Sequence, residues 1–434
     1  MEIMPLLLFS ADDGKGGRTE GRLCGKNPRV SGTPGAFAGR TFNPVEAVMI
    51  AYVSILSVLL LLVLAVVCVD AWRFLGTLAG RFHIGRWQDR RAWQEALART
   101  ASSWTRRMPA VPRRDQGRRI LWEMARGTYA DAAIQGWQAA GLFLGLHVYA
   151  ADRKDEALKE RLRHSLEEHE LVRNCLAVPE PERWEADRLL LDYAVLEAGC
   201  RGADQVAEAS AALLESLRTG AGTLAYRRRQ PGVRYVDAIG LACPLAAACA
   251  ARTGKGEYWN LAVKQVEEYD MALLPGSSFP AHGFEMERGY PLGLYDWSRG
   301  LGWYALGLCE LYRLMARHGR PEAAGMARRI LALAEELLPL QKKNGGFGWM
   351  VARPESVFES SGTALLGLLL LAAYRISGEE RFLKAAFRAE KALMGVTRRN
   401  GVLDMCQGDT KGIGMYSDVW SLMPFAQGMA LRLS

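Results

Sequence analysis

The stretch LLAAYRISGEERFLKAAFRAEK, residues 370–391, decides the fold: an apolar helix, a short polar turn at Gly378, then an amphipathic helix carrying Ala with Lys and Arg. The same design occurs at GLHVYAADRKDEALKERL (145–162), YAVLEAGCRGADQVAEASAALL (193–214), AAACAARTGKGEYWNLAVKQV (246–266) and LCELYRLMARHGRPEAAGMARRI (308–330). Turns centre near Arg153, Gly202, Gly254, Gly319 and Gly378, so successive copies lie 49, 52, 65 and 59 residues apart. Two-helix solenoids repeat at about 33–47 residues. Here the period is longer, and the excess falls between hairpins, where Gly, Pro, Trp and charged residues collect. That is the pattern of hairpins closed into a ring, with the long connections gathered at one mouth. The last apolar helix, SLMPFAQGMALRLS (421–434), has no following partner, so an early helix must pair with it. The expected fold is all-α: one (α/α)6 barrel of six helical hairpins over residues 116–434.

From Ala47 to Val69 run 23 residues without a charge. A helix of that length crosses a hydrocarbon core of about 30 Å. Glu46 and Asp70 flank it, with Trp72 and Arg73 as interfacial anchors. A signal peptide has a shorter apolar core and a small-residue cleavage site, which is not apparent here. The expectation is a retained single-pass transmembrane helix over 47–69, after a Gly- and Arg-rich disordered segment, 1–46. Residues 70–115, with Trp87, Trp93 and Trp104, read as a juxtamembrane helix and linker. Arg73, Arg81 and Arg86 follow the span, while Arg29 and Arg40 precede it. A start at Met49 removes the upstream charges and places the large domain in the cytoplasm; a start at Met1 leaves the two sides nearly balanced.

Half of the 434 residues are apolar and about a quarter charged, which excludes a disordered or collagen-like chain. Lys and Arg number 55 against 47 Asp and Glu, a formal charge of +8 that suits acidic partners. No run of five or six basic residues appears, so nucleic acid is not expected as a partner. The eight cysteines form no CxxC pair and read as buried free thiols. The six histidines show no HExxH or i, i+4 pairing, so no protein-held metal is expected.

The connections carry residues that a core does not need. In YVDAIGLACP (235–244), Asp237 starts a helix otherwise almost free of charge. Such an Asp is a helix cap or, at a barrel mouth, a carboxyl placed as a general acid. The loop FPAHGF (279–284) holds His282, and WSRGLGW (297–303) sets Trp297 and Trp303 around Arg299 and two glycines. Aromatic faces stack on pyranose rings, Arg forks onto a carboxylate, and Gly lets the backbone approach. The plain alternative is a core aromatic pair with a surface Arg. FESSGTA (358–364) opens the fifth hairpin, and DMCQGDT (404–410) is a polar loop before Tyr416. GGFGW (345–349) lacks the context of a phosphate cradle. Upstream, Glu185, Asp187 and Asp192 lie in ERWEADRLLLDYAVLEAG (182–199), where a solvated helix face accounts for at least two of them.

Taken in order, these loops resemble those of the unsaturated glucuronyl and rhamnogalacturonyl hydrolases, glycoside hydrolase families 88 and 105, across roughly residues 125–434. WSRGLGW is close to that family's W-x-R-G-x-G-W. The resemblance implies an (α/α)6 barrel that removes a 4,5-unsaturated uronic acid from the non-reducing end of an acidic oligosaccharide left by a polysaccharide lyase, of the pectin or rhamnogalacturonan type. It implies hydration of the enol ether with no metal or organic cofactor. Carried over by position, it makes Asp237 the general acid/base, pairs Arg299 with the substrate, walls the sugar with Trp297 and Trp303, and bonds it to His282. The second active-site acid falls in 182–192, with Asp187 ahead of Glu185. Tyr235 stands where the family usually has Trp, and Tyr226 and Arg227 stand where it often has His, which bears on the neighbouring sugar. A membrane span is not typical of the family. Two other readings stay open. One is a catalytically silent, membrane-tethered barrel binding acidic glycans or a protein partner; the other is a glycosidase of another (α/α)6 family, with Asp187 and Asp237 about 5–10 Å apart. Oligomeric state is left open.

Overall fold

A computed structural model describes residues 43–112, 131–132, 135–168, 186–410 and 412–434. The chain divides into two compact units at Ala65 and Val66. Helix α1 spans Pro44–Arg81. Its stretch Pro44–Cys68 contains an 18-residue window of mean hydropathy 3.0, none of it buried, and is long and apolar enough to cross a membrane. The helix takes in residues 44–46, which the sequence groups with the disordered segment, and continues past Asp70. Residues 1–42 lie outside the described residues.

In the second unit, six inner helices stand in a ring: α3 (Gly136–Asp152), α5 (Leu189–Ala198), α7 (Asp237–Thr253), α9 (Ser298–Arg317), α11 (Ser360–Ser377) and α13 (Pro424–Leu433). Each packs on the next, and α13 packs on α3, which closes the ring. Outside them lie α2 (Arg90–Trp104), α4 (Glu156–Glu168), α6 (Ala203–Leu217), α8 (Glu257–Glu268), α10 (Ala323–Leu337) and α12 (Glu380–Gly395). Composition explains the two layers. An inner helix such as α7 is buried at every position from Ala238 to Ala250, as a helix apolar all round must be. An outer helix such as α12 buries only Phe382, Ala385, Ala386, Ala389, Glu390, Ala392 and Leu393. Of the described cysteines, Cys200, Cys243, Cys249 and Cys406 are buried free thiols as expected, whereas Cys309 is half-buried and Cys68, on α1, is exposed.

The barrel begins earlier than residue 116. The stretch Arg90–Trp104, which the sequence assigns to a linker, is the sixth outer helix. Asp89 caps it by accepting from Ala92 N at 2.6 Å. Trp93, Leu97 and Ala101 are buried, and Gln427 of α13 donates to Leu97 O at 3.1 Å. The terminal helix thus finds its early partner. Its seam with α3 is a backbone contact: a Cβ on Gly428 would stand 1.9 Å from Gly141 O, and one on Gly145 would stand 2.0 Å from Gly428 O. Only glycine permits that approach.

The two ends of the ring differ. Where inner helices end, Glu310 of α9 receives Arg313 Nε at 3.0 Å and is bonded by Arg432 of α13 and by the Tyr193 hydroxyl of α5. Arg313 also donates to Glu197 of α5 at 2.6 Å. A short antiparallel pair, β1 (Val111–Pro112) with β2 (Asp131–Ala132), precedes α3. Where inner helices begin, the long connections form an antiparallel sheet of β3 (Val233–Tyr235), β4 (Gly283–Glu285) and β5 (Tyr290–Leu292), with Tyr235 opposite Gly283. A shorter pair, β6 (Cys406–Gln407) with β7 (Trp420–Ser421), lies in the last connection before α13.

Candidate active site

Strand β3 leads through Val236 straight into α7, so Asp237 is that helix's first residue. Val236 N donates to His282 O at 2.9 Å, and the β3–β4 register holds the two segments side by side. His282 Nε2 consequently stands 3.5 Å from Asp237 Oδ2. That carboxylate oxygen is buried and has no hydrogen-bond partner among the described residues. On its other side His282 Nδ1 lies 3.1 Å from the Tyr416 hydroxyl, which accepts from Leu294 N at 2.9 Å. Burial, the largest influence, pushes the Tyr416 hydroxyl up to about 12, so it keeps its proton. With the Leu294 amide already donating to the phenolic oxygen, the proton is best placed on the line to Nδ1. The imidazole then carries its own proton on Nε2, facing Asp237.

Tyr226 and Tyr235 stack with centroids 4.6 Å apart, and Tyr235 meets His282 edge-on at 6.2 Å. The Tyr226 hydroxyl donates to Asp187 Oδ1. Asp187 lies in a 3-10 turn, Ala186–Arg188, tied down by Ala186 N donating to Tyr226 O at 2.9 Å. Burial first, then the negative charges of Asp187, Asp237 and Asp409, hold the Tyr226 hydroxyl well above its ordinary range. Asp192 turns the other way, where its Oδ2 accepts from Ser210 of α6 at 3.0 Å inside the barrel wall. Glu185 lies outside the described residues.

The WSRGLGW segment divides its work differently from the expectation. Trp297 packs under His282, centroids 4.4 Å apart, and donates Nε1 to Gln407 Oε1 at 3.0 Å. Arg299 is fully buried beside the Trp297 ring, and its Nη1 and Nη2 donate to Gln407 O and Gly408 O, each at 2.7 Å. Its fork is used on two backbone carbonyls. Glu359, capping α11, holds the same loop by accepting from Gln407 N at 3.1 Å, alongside Ser361 N. Trp303 lies farther along α9, against Trp137 at 5.5 Å and Phe425 at 4.7 Å, with Gly240 packed on it. It is barrel core, where ring-stacking on a sugar is not available to it.

Two residues with no assigned role belong to the cluster. Tyr416 is bonded to His282, and Trp349 packs on Tyr416 with centroids 5.8 Å apart. Their signal in the sequence is place alone: GGFGW and the loop after CQGDT are both long connections at the same mouth. Among the described residues no group of three or more His, Cys, Asp or Glu is placed to hold a metal ion.

The sequence profile of Glycosyl Hydrolase Family 88 matches residues 122–434. The chain belongs to that family and is a glycoside hydrolase. Its backbone is similar to that of a possible family 105 member from Salmonella enterica, at a TM-score of 0.64 and 16% identity over 80% of this chain and 94% of that one. An unsaturated glucuronyl hydrolase responsible for degradation of glycosaminoglycan, from a Bacillus species, gives 0.57 and 19% over 79% and 95%. A family 88 hydrolase from Bacteroides vulgatus gives 0.53 and 14% over 69% and 90%. No curated protein matches the chain in sequence.

Proposed function

We propose that this chain removes a 4,5-unsaturated uronic acid from the non-reducing end of lyase-generated oligosaccharides, with Asp237 as general acid/base. The observation that carries the reading is the buried, partnerless Asp237 Oδ2 at the barrel mouth, 3.5 Å from His282 Nε2. Asp237 gives a proton to C4 of the enol ether, and the cation at C5 takes a water whose surplus proton returns to the carboxylate. The hemiketal then opens to a ketone at C5, and the hemiacetal left at C1 releases the neighbouring sugar as an alcohol. His282 orients the carboxylate. Asp187, held by Tyr226, is the second acid. Tyr226, Tyr235, Tyr416 and Trp349 wall the sugar, Trp297 supports His282, and Arg299 braces the Gln407–Gly408 loop rather than pairing with substrate. The resemblance to families 88 and 105 puts a pectin or rhamnogalacturonan fragment first. The span within α1 anchors the enzyme, with the barrel on the cytoplasmic side that Arg73, Arg81 and Arg86 favour.

The test uses the full chain in detergent, because a cut near residue 95 would remove Trp93 and split α2. Unsaturated disaccharides from pectin, rhamnogalacturonan and glycosaminoglycan digests are followed by loss of the conjugated ultraviolet absorbance. Loss is expected with a pectin or rhamnogalacturonan digest, and Asp237→Asn lowers the rate by about 10²–10⁴. A folded helical protein that bleaches none of the digests would refute the activity, and a glycosaminoglycan digest alone would refute the substrate choice.

A further inference from the structure

The last turns of α1 and the bend after them carry chemistry that the catalytic reading does not use. Trp72, Leu75, Leu78 and Phe82 recur at three- and four-residue spacing on one side of the helix, each more than half exposed. After Arg81 the chain turns through His83 and Gly85, with φ of 65° and 72°. Gly85 N donates to Thr397 O at 3.0 Å and Trp87 Nε1 to Arg398 O at 3.2 Å, which fastens the bend to the loop after α12. Between them lies a cavity of about 360 Å³ lined by His83, Arg86, Trp87 and Arg399. Arg81 and Arg398 beside it both pair with Asp404. Arg86 and Arg399 are exposed and form no ion pair among the described residues. Two uncompensated guanidiniums and an indole at the edge of an exposed apolar stripe suit an amphiphile with an anionic head.

We infer that this cavity receives the phosphate of an anionic phospholipid, whose acyl chains lie along Trp72, Leu75, Leu78 and Phe82. The inference rests on the proposal that the span within α1 enters a bilayer. Basic residues following a span attract anionic leaflets, and Arg forks onto phosphate oxygens.

The experiment takes the full chain in detergent through native mass spectrometry after exposure to phosphatidylglycerol, phosphatidylcholine or inorganic phosphate. Phosphatidylglycerol should be retained at least about tenfold better than phosphatidylcholine, a preference lost in Arg86→Gln/Arg399→Gln. Equal retention of both lipids, or unchanged preference in the double variant, would overturn the site. Displacement of lipid by inorganic phosphate at equal concentration would make it a soluble-anion site instead and overturn the lipid. Alkaline carbonate extraction of membranes tests the anchor separately. A chain that stays in the membrane without lipid preference refutes this inference alone, and a chain that is released refutes the anchor and the inference with it.

Discussion

Replacing Glu310 by Gln removes a buried charge that ties α5, α9 and α13 together at the end of the ring opposite the mouth. Burial, the largest single influence, pushes the Glu310 carboxyl up, yet Arg432, Arg313 and the Tyr193 hydroxyl together outweigh it and hold the group at about 2 against an ordinary 4.5. That difference corresponds to about 3 kcal/mol of folding stability. It also falls in the range of about 3–5 kcal/mol found when one partner of a buried pair is removed. Because the folded value is depressed, the stabilisation is complete above the unfolded value of 4.5 and is lost as pH falls toward 2. Guanidinium unfolding of both proteins in the same micelles, followed by far-ultraviolet circular dichroism, should show a gap of about 3 kcal/mol at pH 7. The gap should narrow to about 2 kcal/mol at pH 3.5. A variant as stable as the parent at pH 7, or a gap equal at both pH values, would show that Glu310 is not the ionised hub of a closed ring.

Tyr416→Phe removes the hydroxyl that fixes the His282 proton on Nε2; kcat should fall about ten- to a hundredfold with KM and unfolding midpoint little changed, as steady-state kinetics and thermal melts would read. In Arg299→Lys an ammonium replaces a fork that holds Gln407 O and Gly408 O, so the melting temperature should drop by a few degrees for a loss of about 2 kcal/mol. A raised KM with an unchanged melting temperature would return Arg299 to the substrate carboxylate. Gly428→Ala puts a methyl into the Gly141 backbone at 1.9 Å. It should destabilise the barrel by more than about 3 kcal/mol, measured by the same guanidinium titration, and a wild-type midpoint would mean that α3 and α13 do not meet backbone to backbone.

The hairpins were legible because their two helices differ in kind: one apolar on all sides, one on a single face, with a polar turn between. Both features are local. The partner of α13 was not legible, because Leu97 O and the Gln427 amide that binds it are 330 residues apart, and Arg- and Trp-rich sequence before the first repeat reads equally well as linker. Asp237 and His282 could be picked out as lone polar residues in apolar or Gly-containing connections. Arg299 shows where residue chemistry stops deciding, since a guanidinium suits a uronate and a pair of carbonyls alike, and only the position of residues 407 and 408 chooses between them. Trp303 was decidable in principle. Helix α9 starts at Ser298, so at 3.6 residues per turn position 303 is already more than a turn inside the barrel. Tyr416 carried no motif at all, being 134 residues from the imidazole it contacts.

The contrast between the two ends bears on how the proposed acid works. At the far end the Glu310 carboxylate is engaged by Arg313, Arg432 and Tyr193. At the mouth, the Asp237 side chain is 15% exposed, and its buried Oδ2 has no hydrogen-bond partner among the described residues, with His282 Nε2 3.5 Å away. A buried acceptor left without a partner costs about 1–3 kcal/mol. The side chains around Oδ2 are engaged elsewhere: His282 is pinned from behind by Tyr416 and from below by Trp297, and Tyr226 is turned to Asp187. None can swing over to bond Oδ2 without breaking a contact of its own. A ligand atom that delivers or takes a proton there relieves an existing penalty, so the oxygen is poised for proton transfer at no reorganisation cost to the ring of side chains around it.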